Sequence, residues 1–93
     1  MEKLEKLQLM DKILRELDDL KNSQTSVLKK LGQIEAENIT LGVALLDKKL
    51  PDLHEEVDSS VGIVTGLLEE FQEYRDKFFA ENKLDTLVDP TAK

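Results

Sequence analysis

The single histidine, His54, stands in the run Asp52-Leu53-His54-Glu55-Glu56-Val57-Asp58. Helical spacing would set His54 and Asp58 on one face, four residues apart, as two ligands to a metal ion. A firmly held metal needs three or four ligands. The sequence offers no second His and no Cys, and the Glu-x-x-His pair of di-iron bundles is absent. The run is therefore expected to be a solvated acidic helix start, with no metal and no cofactor. A second group of charges, Glu69, Glu70, Glu73 and Asp76 with Arg75 and Lys77, reads as a solvated face on which Glu73 and Lys77 form an i, i+4 pair. Acid–base catalysis needs carboxylates enclosed in a pocket, and nothing in the pattern builds one. No nucleophile–base pair, glycine-rich phosphate loop or nucleotide motif is present. The expectation is a protein that is not an enzyme.

What must position these residues follows from composition. Ninety-three residues make one small domain, 35% charged and 40% hydrophobic, with a formal net charge of -7. Abundant Leu, Glu and Lys is the composition of long helices and coiled coils. With no disulfide to reinforce so small a core, oligomerisation is the usual remaining support. The charge is uneven: residues 1–46 carry a net of -1 and residues 47–93 a net of -6. An acidic chain without a basic stripe argues against nucleic acid as a partner. No apolar run reaches the length of a membrane span, and Met1-Glu2-Lys3-Leu4-Glu5 lacks the apolar core of a signal peptide. A cytoplasmic location without membrane contact is expected.

Hydrophobic spacing defines the elements. Steps of three and four from Met10 give Met10, Ile13, Leu17, Leu20, Gln24, Val27, Leu31, Ile34, Asn38, Leu41 and Leu45, with Leu7, Leu14 and Leu28 flanking and Leu4 near the same face. A second series runs Leu50, Leu53, Val57, Ser60, Val64, Leu67, Phe71, Tyr74 and Phe78, widened by Val61 and Leu68. The two differ in phase by two residues, which a continuous coiled coil does not absorb. A break is therefore placed between about 46 and 51, where Lys48 and Lys49 would close one helix and Pro51 and Asp52 would open the next. The predicted fold is all-α: a long antiparallel helical hairpin of coiled-coil type, with helices over about 2–48 and 52–83 and a frayed tail over 84–93. The alternative is a three-helix bundle with helices near 2–22, 26–48 and 52–83, its extra turn in the polar stretch Asn22-Ser23-Gln24-Thr25-Ser26.

Several residues ask for a partner. Asn38 and Gln24 are polar positions on an apolar seam, a device that fixes register. Residues 39–46, with Val43 and Leu46, and 61–68, with Ile63, are apolar nearly all round, so a second surface is needed to cover them. Gly62 and Gly66 could admit a close-packed helix. A bend near residue 50 would leave about 15 residues of the first helix unpaired, a length of roughly 22 Å. That overhang would carry Leu4, Leu7, Met10, Ile13, Leu14 and Leu17. The expectation is a protein–protein interaction and oligomerisation module, a small coiled-coil subunit or adaptor. It would form a homodimer through these residues, and a larger protein partner is also compatible. The alternative is a small acidic inhibitor or antitoxin-like protein whose second half faces a basic target.

Overall fold

A computed structural model describes residues 2–84. It contains two helices, α1 over Lys3–Leu41 and α2 over Ala44–Glu81, forming an antiparallel helical hairpin of coiled-coil type. Contacts divide the described residues into two compact units, one of residues 2–18 with 66–84 and one of residues 19–65.

The bend lies at Gly42 and Val43, earlier than the sequence spacing places it. Gly42 has φ +74°, a left-handed conformation that a residue without Cβ adopts at little cost. Its N–H donates to the Asn38 carbonyl at 2.6 Å, the closing bond of an αL helix end. Pro51, expected to open the second helix, lies inside α2. The helices then have 39 and 38 residues, so the predicted overhang does not exist. Leu7 and Leu14 are buried in the unit that joins residues 2–18 to 66–84. Length mismatch therefore gives no reason to dimerise.

The polar stretch at 22–26 does not break α1. Thr25 Oγ1 donates to the Lys21 carbonyl at 2.9 Å and Ser26 Oγ to the Asn22 carbonyl at 3.1 Å. The hydroxyls find partners within the helix rather than competing with it, and the three-helix alternative is not adopted. At the far end Lys83 takes a left-handed conformation. The Leu84 N–H donates to the Phe79 carbonyl and the Lys83 N–H to the Ala80 carbonyl, the two bonds of a Schellman ending. Leu84, assigned by spacing to the tail, is fully buried. The rest of that tail, 85–93, lies outside the described residues.

Each helix presents two rows to the other. On α1, counting in heptads, these are Leu7, Leu14, Lys21, Leu28 and Glu35 at a, and Met10, Leu17, Gln24, Leu31 and Asn38 at d. On α2 they are His54, Val61, Leu68, Arg75 and Asn82 at a, and Leu50, Val57, Val64, Phe71 and Phe78 at d. The d row of each helix belongs to the predicted seam. The other predicted rows, with Leu20, Val27 and Leu41 on α1 and Leu53, Leu67 and Tyr74 on α2, are left exposed. They fall one residue before the a row, at heptad position g.

Candidate functional site

Three sets of side chains could carry function: the bend, the polar pairs between helices and the exposed apolar rows. At the bend, Asn38 is 3% exposed and uses both ends of its amide. Its Oδ1 accepts from the Val43 N–H at 2.9 Å. Its Nδ2 donates to the Val43 carbonyl at 3.2 Å and to Asp47 Oδ1 at 2.8 Å. Val43 stands just before α2 without a capping side chain of its own, and its carbonyl accepts from the N–H groups of Leu46 and Asp47 at 3.1 Å each. Asn38 supplies the missing cap from the preceding helix, satisfying a donor that a helix start leaves open. Its seam position gives it the depth to do so. A shallow hollow of about 210 Å³ beside it is lined by Glu35, Asn38, Ile39, Leu46, Asp47, Leu50 and Pro51.

The polar pairs are local to their units. In the unit of residues 19–65, His54 Nδ1 lies 3.0 Å from Glu35 Oε1, so His54 faces α1 from inside α2, with its side chain still 41% exposed. Ser60 Oγ donates to Gln24 Oε1 at 2.8 Å, which makes Gln24 the second polar seam residue with a defined partner. In the other unit Arg75 Nε donates to Asp11 Oδ1 at 2.8 Å and Arg75 Nη1 to Asp76 Oδ1 at 3.2 Å. The guanidinium also lies 5.1 Å from the centre of the Phe79 ring. The bond to Asp11 raises the Arg75 pKa, partial burial opposes it, and Asp76 adds a smaller rise. Among the described residues no group of three or more His, Asp or Glu is placed to hold a metal ion. No helix there is long and apolar enough to cross a membrane.

The apolar rows have a side. In an antiparallel pair the two g rows flank the seam on one edge and the two e rows on the other. A contact within residues 19–65 agrees: Gln24 at d meets Ser60 at g. Within residues 19–65 the g edge carries Leu20, Val27, Ile34 and Leu41 from α1 and Leu46, Leu53 and Ser60 from α2, with Ile63 at the adjoining c position. Of these, Leu20, Val27, Leu41 and Leu53 are 45–67% exposed and Ile63 is 71% exposed. The e edge of the same unit holds Thr25, Gly32, Ile39, Pro51, Asp58 and Thr65, a mostly polar or small set. In the other unit Ile13, Leu67 and Tyr74 occupy g and Leu9 occupies c. The Tyr74 ring stacks on Phe71 at 6.1 Å between centroids.

The candidate interface residues are thus distributed unevenly. Leu7, Leu14 and Asn38 are buried inside the hairpin, and Leu4, Met10, Ile13 and Leu17 are half-buried in the seam or beside it. Val43 and Ile63 are exposed, Leu46 partly so, and Gly62 and Gly66 have open space where a Cβ would stand. No helix of this chain packs closely on that glycine pair. Sequence spacing does not single out Leu20, Val27, Leu41 and Leu53 as surface residues, because it counts them as seam.

No known protein family, curated protein or solved structure matches this chain. What the fold defines is an antiparallel helical hairpin with one apolar edge in its bend-containing unit.

Proposed function

We propose that this chain is a non-enzymatic protein–protein interaction module, a small coiled-coil subunit whose activity is to bury its apolar edge against another helical surface. The g-row edge of residues 19–65 carries this reading. Its side chains recur every seven residues on both helices, the spacing at which a third and a fourth helix pack onto a pair. Scattered surface leucines need no explanation, but a contiguous apolar strip marks an interaction site. Ile39, Leu41, Leu45 and Ile63, in the stretches that are apolar all round, are 63–84% exposed, so the hairpin alone does not cover them.

The test is light scattering of the purified chain and of its complex in extract of the source cell, each compared with a Leu20→Glu/Leu53→Glu variant. Both positions are about half exposed, so the variant should keep its helical circular dichroism. The expected result is a mass above 10.6 kDa that returns to 10.6 kDa in the variant. A chain that runs at 10.6 kDa in both settings, or whose association is unchanged in a helical variant, overturns the reading.

A further inference from the structure

Resting on that reading, we infer that the occupant of the edge is a second copy of this chain, related by a twofold axis parallel to the helices, so that both bends lie at the same end. The argument comes from what stands along the edge of residues 19–65. The α1 row runs Leu20, Val27, Ile34, Leu41 toward the bend, and the α2 row runs Leu46, Leu53, Ser60 away from it. A twofold along the helices sets α1 of one copy antiparallel to α2 of the other. Leu41 then meets Leu46 of the second copy, Ile34 meets Leu53, and Val27 meets Ser60, the large side chain against the small one.

Charge decides between this arrangement and its competitor. At position c, just outside the apolar row, α1 carries Lys30 and Glu37 and α2 carries Lys49 and Glu56. All four are exposed. The parallel-axis arrangement sets Lys30 beside Glu56 of the second copy and Glu37 beside Lys49 of the second copy. Each pair occurs twice by symmetry, and every charge of the flank meets its opposite. In the competing arrangement, with bends at opposite ends, α1 meets its own copy. Matching the same apolar rows there sets Lys30 against Lys30 of the second copy and Glu37 against Ser23. Opposite-charge flanks select orientation in coiled coils, and like-charge flanks exclude it.

The sequence has no cysteine, so single thiols can be placed without background. Chains carrying Lys30→Cys and Glu56→Cys, tagged differently, are mixed at micromolar concentration and treated with a short bismaleimide. The expected product is the mixed covalent dimer, with little of either homodimer. Lys30→Glu should raise the dimer Kd about tenfold, two equivalent pairs being lost at once, and Glu56→Lys in the same chain should restore it. Cross-linking of Lys30→Cys to itself in preference to Glu56→Cys overturns the arrangement. So does a dimer, confirmed by light scattering, in which neither thiol pair reacts. Whether the apolar edge is the interface is read separately, from loss of association in the Leu20→Glu/Leu53→Glu variant. A purified chain that is monomeric at all concentrations, yet loses an extract complex in the Leu20→Glu/Leu53→Glu variant, overturns the second copy as occupant without touching the interaction reading.

Discussion

Replacing Asn38 with alanine should cost far more than its single amide suggests. The side chain makes three hydrogen bonds, to both backbone groups of Val43 and to the Asp47 carboxylate, from a site that is 3% exposed. Alanine leaves the Val43 N–H at the head of α2 without its acceptor; Val43 is 37% exposed, so water recovers part of the loss and the cost is about 1–2 kcal/mol, the lower part of the range for an unpaired group. The bond to Asp47 is charge-assisted, but that carboxylate is exposed and regains water, so its loss adds only about 0.5–1 kcal/mol. The expected total is about 1.5–3 kcal/mol, a large share of the 5–15 kcal/mol typical of a whole domain. The measurement is urea unfolding followed by circular dichroism at one fixed protein concentration. The control is Gln24→Ala, which removes one neutral bond to Ser60 and should cost about 0.5–1.5 kcal/mol. If the two variants lie within about 0.5 kcal/mol of each other, Asn38 is not what closes the bend and the capping argument fails.

Pro51 inside α2 denies the Asp47 carbonyl its helical donor, so Pro51→Ala should raise stability by about 1–3 kcal/mol; no gain in the unfolding midpoint would place Pro51 at a helix start after all. Leu31→Ala, at a buried seam position, should cost about 2–4 kcal/mol, whereas Leu67→Ala, 48% exposed, should cost less than about 1.5 kcal/mol. Equal losses in that pair would restore the seam that spacing alone suggests.

Much of the hairpin is legible in the sequence because both apolar series are long and differ in phase. The d rows, Leu17 and Leu31 on α1 with Val57 and Val64 on α2, can be read from spacing. The a row of α1 is legible only in part: Leu7, Leu14 and Leu28 read as flanking the seam, but the row also includes Lys21 and Glu35, and counting apolar residues favours Leu20, Val27 and Ile34 instead. Long charged side chains lay their stems along a seam and keep their heads wet, so a row can be inward-facing without being apolar. The bend was obscured by stronger punctuation further on, at Lys48-Lys49 and Pro51. Its own signal, Gly42 four residues after Asn38, is the spacing of a helix end with a left-handed glycine. Placing the bend there also removes the overhang. The apolar edge is hidden by the same count, which places its leucines in the seam.

The cross-helix bonds also set an order in time. Their partners are 9 residues apart for Asn38–Asp47, 19 for Glu35–His54, 36 for Gln24–Ser60 and 64 for Asp11–Arg75. Closing a loop directly costs entropy that grows as the logarithm of its length, about 1.7 kcal/mol more for the last pair than for the first. Once the Asn38 clasp has formed, each later pair closes only the short extra length beyond its predecessor. The cheapest route is a zipper that starts at Gly42 and runs outward, with Asp11 and Arg75 joining last. Protection should follow burial within each unit: in residues 19–65 the amides around buried Leu31 and Val64 should exchange more slowly than those of exposed Ile39 to Leu45.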